Sequence, residues 1–128
     1  MNFKELVDVY NKKKNELIVG SVKIQELTGL CDKYSKFTTE TLTLKEMLSM
    51  VKELETEHGK IFKEVQYLND LIIDNINKIE NLDMKNILLL RILTESTWKH
   101  IGIVCSYSES RVRQLYKLGF NKIASTII

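Results

Sequence analysis

The side chains of this sequence whose types and spacing could do chemistry lie between residues 109 and 123. Apolar residues recur there at the spacing of one helix face, at Val112, Leu115, Tyr116 and Ile123. The opposite face carries amide and basic groups, on Arg111, Arg113, Gln114, Lys117, Asn121 and Lys122. Such groups donate hydrogen bonds to phosphate oxygens and to base edges. The pattern therefore indicates a helix that could bind a nucleic acid.

Patterns typical of catalysis or metal binding do not accompany these residues. The sequence has no glycine-rich phosphate loop, no GxSxG, no HExxH and no zinc spacing. The paired carboxylates Glu55 and Glu57 are expected on a solvated helix face, where no pocket would shift their pKa values. We therefore predict no enzyme, no catalytic residue, no cofactor and no metal.

The residues before 109 read as a second, shorter helix followed by a turn. Thr97 can cap a helix with Trp98 and Ile101 on its apolar side, and Ser108 can cap the next one. Two such helices form a helix-turn-helix, whose second helix enters the major groove of double-stranded DNA. The predicted DNA-binding residues are Ser108, Ser110, Arg111, Arg113, Gln114, Lys117 and Lys122.

These residues also carry a resemblance. Arg111-Val112-Arg113-Gln114-Leu115, with Phe120 and Lys122-Ile123, resembles the recognition helix in the fourth conserved region of bacterial sigma factors. The residues from Thr97-Trp98 to Ser108 are similar to the preceding helix and turn of that region, and Ile87 to Arg91 resemble the helix before them. With its long helical N-terminal part, the chain resembles the small phage-encoded late transcription regulators of Gram-positive bacteria.

Three positions depart from the sigma pattern. Glu109 and Ser110 stand where housekeeping sigma factors carry an arginine and a glutamate that read the promoter. Gly119 stands where the family has alanine. The resemblance therefore implies a DNA-binding fold without implying the sigma factors' own target sequence.

The rest of the chain predicts an all-α protein. There is no proline and there are only five glycines, so little interrupts helices. Residues 2–36 read as one helix, with a kink or break at Gly20-Ser21, and a loop is expected from Ser35 to Thr43. Thr43 with Glu46 would be a capping box for the second helix.

A heptad repeat marks the second helix as a hairpin or coiled-coil element. Its twelve positions are Leu44, Met47, Val51, Leu54, His58, Ile61, Val65, Leu68, Ile72, Asn75, Ile79 and Leu82. All of them except His58 and Asn75 are apolar. His58 and Asn75 would fix its register or its oligomeric state. We expect a homodimer, with an oligomerisation surface that includes Leu54, Ile61, Val65, Leu68 and Ile72.

The sequence thus divides into two predicted domains. Residues 1–82 would form the long helices, and residues 83–128 the helix-turn-helix module, which begins with Asp83 as a helix cap and is expected to fold by itself. Residues 96–128 carry five basic residues and one acidic residue, a net charge of +4, whereas the remainder sums to −2. The positive charge lies on the part that would meet phosphates.

The composition predicts a cytoplasmic protein, and the resemblance to phage regulators implies that the cell is a bacterial host. The N-terminal residues lack the apolar stretch of a signal peptide, and no run is long enough for a membrane helix. Cys31 and Cys105 fit a reducing compartment rather than a disulfide framework.

Three functions remain open at this stage. The first is a sequence-specific DNA-binding transcriptional regulator encoded by a phage or prophage. The second is an interaction protein that binds RNA polymerase or a sigma partner with little DNA contact of its own. The third is a phage DNA-packaging subunit, in which the DNA module would be expected first rather than last.

Overall fold

Five α-helices make up nearly all of the described chain, which confirms the predicted all-α class. The computed structural model describes residues 1–35 and 42–128. The helices are α1 (Phe3–Ser35), α2 (Leu42–Ile76), α3 (Leu82–Leu93), α4 (Trp98–Cys105) and α5 (Glu109–Ile123). These described residues contain one isolated bridge, between Asn2 and Ile127, and no β-strand.

Two predictions fall on residues outside the described ranges. The expected loop from Ser35 to Thr43 lies mainly at residues 36–41, and the side chain of Thr43 in the expected capping box lies outside as well. Helix α2 begins at Leu42, two residues before the first heptad position. No helix of the described chain is long and apolar enough to cross a membrane.

Helix α1 is continuous through Gly20-Ser21, so the predicted break is wrong. The glycine leaves room for an imidazole: a Cβ at Gly20 would lie 2.9 Å from His58 Cδ2. His58 Nε2 is 3.0 Å from the Leu17 carbonyl oxygen and 3.0 Å from Ser21 Oγ. Because a carbonyl only accepts, Nε2 carries the proton and donates to Leu17. This cross-helix contact gives the predicted register-fixing role of His58 a structural basis.

The described chain forms two compact units, and residues 11–66 make up the smaller one, called unit 2 below. Its α1 and α2 segments run antiparallel, because Lys13 pairs with Glu64 at 3.0 Å while Ser21 lies against His58. A small apolar cluster lies between the end of α1 and the start of α2. Its buried members are Cys31, Leu44 and Val51, with Leu27 and Met47 packed against them.

Unit 1 comprises residues 1–10 and 67–128 and contains the larger core. Side chains from all five helices are buried in it, including Phe3, Leu6, Ile72, Ile76, Ile87, Leu88, Ile101 and Val112. The unit that contains α3, α4 and α5 therefore extends beyond the boundary expected at residue 83. The three short helices α3, α4 and α5 leave apolar faces uncovered when they pack only on one another. The first turns of α1 and the last turns of α2 cover these faces.

The two chain termini meet beside the end of α5. The first N–H groups of a helix have no intrahelical acceptor. In α1 those of Phe3 and Lys4 donate to the carbonyls of Thr126 (3.0 Å) and Ala124 (3.1 Å). Asn2 Oδ1 accepts from the next amide at 2.9 Å. The phenyl rings of Phe3 and Phe120 also lie 5.7 Å apart, so the start of α1 is fixed to the end of α5.

The structure changes three residue assignments. Ile72 is fully buried within the single chain, which removes it from the expected interface with a second chain; Leu54, Ile61, Val65 and Leu68 are half-buried. Asn75 is buried but bonds within its own helix, since Nδ2 donates to the Leu71 carbonyl at 2.8 Å. The cap of α3 is Asn81, whose side chain accepts from the Met84 amide at 3.0 Å, and not Asp83.

Candidate nucleic-acid interface

A turn of three residues, Ser106 to Ser108, joins α4 to α5. Thr97 caps α4 by accepting from the His100 amide at 3.1 Å, and Ser108 caps α5 by accepting from the Arg111 amide at 3.2 Å. Both predicted caps are confirmed. Between them Ser106 adopts a left-handed conformation, with φ 61° and ψ 41°, which reverses the chain after α4.

Gly102 allows the turn to fold back against α4. Its carbonyl accepts from the amides of Ser106 and Tyr107, the second at 2.9 Å. A Cβ at this position would lie 2.7 Å from the Tyr107 carbonyl oxygen, a contact that real Cβ atoms do not make. The obstacle is backbone, so it cannot be relieved by a rotamer change. The angle between α4 and α5 therefore depends on a glycine at 102.

We expect Gly102→Ala to destabilise unit 1 by about 1–3 kcal/mol, the usual cost of overpacking. The matched control is Gly59→Ala in α2, where a Cβ would meet nothing within 4 Å. That change should be stabilising by about 0.5–1 kcal/mol, since alanine favours a helix over glycine. Urea unfolding followed by circular dichroism measures both. Equal effects of the two substitutions would contradict the role given to Gly102.

The buried side of α5 packs on α3. Val112, Leu115, Gly119 and Ile123 are buried, and a Cβ at Gly119 would lie 3.2 Å from Leu88 Cδ1. The glycine thus allows the two helices to approach closely. This packing fixes the rotation of α5, which in turn decides which of its side chains face solvent.

All seven predicted DNA-binding residues, Ser108, Ser110, Arg111, Arg113, Gln114, Lys117 and Lys122, are exposed. With about 3.6 residues per turn, Ser110, Gln114 and Lys117 fall on one line along the middle of the exposed face. Arg111 flanks this line on one side and Arg113 on the other. Lys122 lies beside the buried face and away from the line.

Arg111 and Gln114 are joined by a hydrogen bond. The guanidinium Nη1 of Arg111 donates to Gln114 Oε1 at 2.6 Å. The bond occupies one of the two lone pairs of Oε1 and leaves the two N–H donors of the amide available. The pair therefore presents mainly donors to an approaching ligand, which suits acceptor groups such as guanine N7 and O6 or adenine N7.

The indole ring of Trp98 contacts two arginines beside the exposed face of α5. The Arg91 guanidinium carbon lies 4.0 Å from the centre of the indole ring and that of Arg113 lies 5.7 Å away. Tyr116 meets the same ring edge-on, with centroids 5.1 Å apart. Arg91 Nη1 also donates to the Ser96 carbonyl at 3.0 Å, so its guanidinium is fixed at two points. Trp98 is half-buried.

Tyr107 connects the turn to α3. Its hydroxyl donates to Asp83 Oδ2, and this hydrogen bond, with the nearby negative charge, raises the pKa of the phenol. The sequence predicted Asp83 as a helix cap and gave no indication of this hydrogen bond. Sequence reasoning also missed the Arg91–Trp98–Arg113 cluster, because no local signal shows which aromatic ring a long basic side chain will cover.

Comparison of the chain with protein-family models, with curated proteins and with solved structures found no match. The case for a function therefore depends on the chain's own residues.

Proposed function

We propose that the chain is a sequence-specific DNA-binding regulator of transcription, encoded by a phage or prophage and acting in the cytoplasm of a bacterial host. In this proposal α4, the turn and α5 form a helix-turn-helix like that of the fourth conserved region of sigma factors. Helix α5 would lie in the major groove, which is wide enough to admit an α-helix.

The observation that carries the proposal is the exposed face of α5. It starts directly after the capped turn and presents Ser110, Arg111 and Gln114 in its first two turns. In proteins that insert a helix into the major groove, residues near the start of that helix contact base edges. Lys117 follows one turn after Gln114, at the point where a side chain would leave the bases and approach a phosphate.

Electrostatics supports the same surface. Residues 96–128 carry a net charge of +4, and their arginines and lysines apart from Lys99 all lie on α5. Arg113 and Arg91, held by Trp98, would form a fixed positive edge beside the helix. Cations with restricted side chains bind phosphate with less loss of conformational entropy than free ones.

The two roles of the α5 side chains can be separated by substitution. We expect Gln114→Ala to reduce discrimination at one base pair by about 1–3 kcal/mol, because one amide reads one base. Lys117→Ala should weaken binding to all sequences alike and lower the salt dependence by about one phosphate contact. The matched control is Lys63→Ala, an exposed lysine of α2 in unit 2, which should change neither.

The measurement is fluorescence anisotropy on duplexes selected from a random-sequence pool, at several salt concentrations. Equal and salt-independent losses for Gln114→Ala and Lys117→Ala would contradict the assignment of roles. The proposed function itself would be contradicted if the unmodified chain selected no sequence and bound DNA no more tightly than the Lys117→Ala variant does.

A second candidate, an interaction protein that binds RNA polymerase or a sigma partner, is favoured by a different surface of unit 1. Ile103 and Val104 of α4 are 70% and 55% exposed, and Leu82 at the start of α3 is 65% exposed. Between α3 and α4 lies a groove of about 510 Å³, lined by Leu89, Leu90 and Val104 among others. Adding RNA polymerase to the anisotropy experiment separates the two candidates, since an interaction protein would bind DNA only when polymerase is present.

A further inference from the structure

Unit 2 has too little core for the apolar surface it carries. It consists of two helical segments, and its buried apolar side chains among the described residues are Cys31, Leu44 and Val51. Seven large apolar residues of the unit are 44–53% exposed: Ile18, Val19, Val22, Leu30, Leu48, Met50 and Phe62. A pair of helices is a single layer, and an apolar helix face is normally covered by a second one.

A groove lined by one of these seven residues, Val19, offers a place for such a layer. It has a volume of about 490 Å³ and runs between α1 and α2 within unit 2. Val19 and Gly20 line it from α1, and Leu54 and Ile61 line it from α2. Because Gly20 has no side chain, the groove reaches down to the His58 imidazole.

The two edges of the groove carry opposite charges. Lys12 and Lys23 line its α1 edge together with Glu16, whereas Glu57 lines its α2 edge. Lys23 has no ion-pair partner within the described ranges, and Glu57 has only an exposed pair with Lys60 at 3.2 Å. Exposed pairs of that kind contribute little, so both edges are available to a partner.

We propose that a second copy of this chain covers the groove, related by a two-fold axis parallel to the helices. Such an axis places α1 of one copy beside α2 of the other. It leaves the position of every residue along the helix direction, called its height here, unchanged. Ser21 lies level with His58. At about 1.5 Å per residue, Lys23 of one copy then lies within about 2 Å of the height of Glu57 of the other, and the contact occurs twice.

The charges also distinguish this arrangement from the other two-fold one. An axis perpendicular to the helices would place α1 against α1 and α2 against α2, so Lys23 of one copy would not lie beside Glu57 of the other. Complementary charges across an interface fix its register. An isologous interface has to be complementary to itself, and the parallel axis is the choice that meets this condition.

The inferred surface differs from the one that the heptad predicts. It keeps the half-buried Leu54 and Ile61 and adds Val19 and Lys23 from α1. It omits Val65, Leu68 and Ile72. It does not depend on the proposed function, because a dimer formed through unit 2 can be measured without DNA.

Charge exchange tests the arrangement. We expect sedimentation equilibrium to show a dimer at tens of micromolar, and Lys23→Glu or Glu57→Lys to weaken dimerisation at least tenfold by opposing like charges at two places. The double variant Lys23→Glu/Glu57→Lys should return the dimerisation constant to within about threefold of the original, since each pair is restored with its signs exchanged. No rescue in the double variant would overturn the parallel two-fold axis.

A second comparison tests the groove without depending on those charges. Val19→Lys should abolish the dimer, whereas Val22→Lys, a change on the same helix at a similarly exposed valine outside the groove, should leave it intact. Thermal unfolding followed by circular dichroism checks that both variants fold. A wild-type chain that is monomeric at tens of micromolar, or equal effects of the two valine substitutions, would overturn the proposal.

Discussion

A fragment of residues 83–128 is expected to be unfolded at 25 °C, although it contains most of α3 and all of α4 and α5. This replaces the expectation from the sequence that these residues fold by themselves. The fragment lacks Phe3, Leu6, Ile72 and Ile76, which are fully buried in unit 1. Each such side chain contributes about 1.5–3 kcal/mol when buried. Their sum approaches the whole stability of a typical domain, which is about 5–15 kcal/mol.

A shortened chain that keeps unit 1 complete is expected to fold cooperatively. In it a flexible glycine-serine linker of about six residues replaces residues 11–66 and joins Tyr10 to Tyr67; such a linker spans about 13 Å on average. The ends to be joined lie close, because the Tyr10 hydroxyl donates to Asn69 Oδ1 at 3.5 Å.

Circular dichroism during urea unfolding compares the two shortened proteins. The linked form should give a single sigmoidal transition, and the fragment should show little helix and no transition. A fragment of residues 83–128 that unfolds cooperatively would mean that the first turns of α1 and the last turns of α2 are dispensable, which would contradict the extent of unit 1.

The local features of the candidate site could be predicted from the sequence because their causes are local. Thr97 and Ser108 cap their helices through hydrogen bonds to amides three residues later, so composition and spacing suffice to find them. The exposed face of α5 follows equally from the 3.6-residue period, since a buried Val112 or Leu115 fixes the direction of its neighbours.

The division of the fold could not be predicted from the heptad. A periodic apolar line shows that one face of a helix is buried, but it does not identify the partner. Leu54 and Ile72 belong to the same line, yet Leu54 lies in unit 2 and is half-buried while Ile72 lies in the core of unit 1. The hydrogen bonds between the two chain termini are also non-local, and no sequence signal pairs Phe3 with Thr126.

The role of Gly102 could be predicted only in part from the sequence. Helix propensity disfavours a glycine within α4, so its presence suggests a reason other than helix formation. The reason depends on how closely the Tyr107 carbonyl approaches, which only the folded turn decides.

The linked unit 1 is expected to bind a selected DNA duplex far more weakly than the whole chain. A single module with a net charge of +4 on residues 96–128 makes few phosphate contacts, and sequence-independent binding is typically only about 10⁻⁴–10⁻⁶ M at physiological salt. A dimer joined through unit 2 would bring two modules to one duplex. Joining two binding modules typically raises affinity by about 10²–10⁴-fold.

Fluorescence anisotropy at one salt concentration should therefore show a loss of about 10²–10⁴-fold for the linked unit 1. If a dimer places two modules on one duplex, the selected duplex should contain two half-sites about 10–10.5 base pairs apart, or a multiple of that distance. The full-length variant Val19→Lys is the matched control: it retains both units and should lose as much affinity as the linked unit 1, because both are monomeric. Equal affinities of the linked unit 1 and the whole chain would mean that unit 2 does not contribute on DNA.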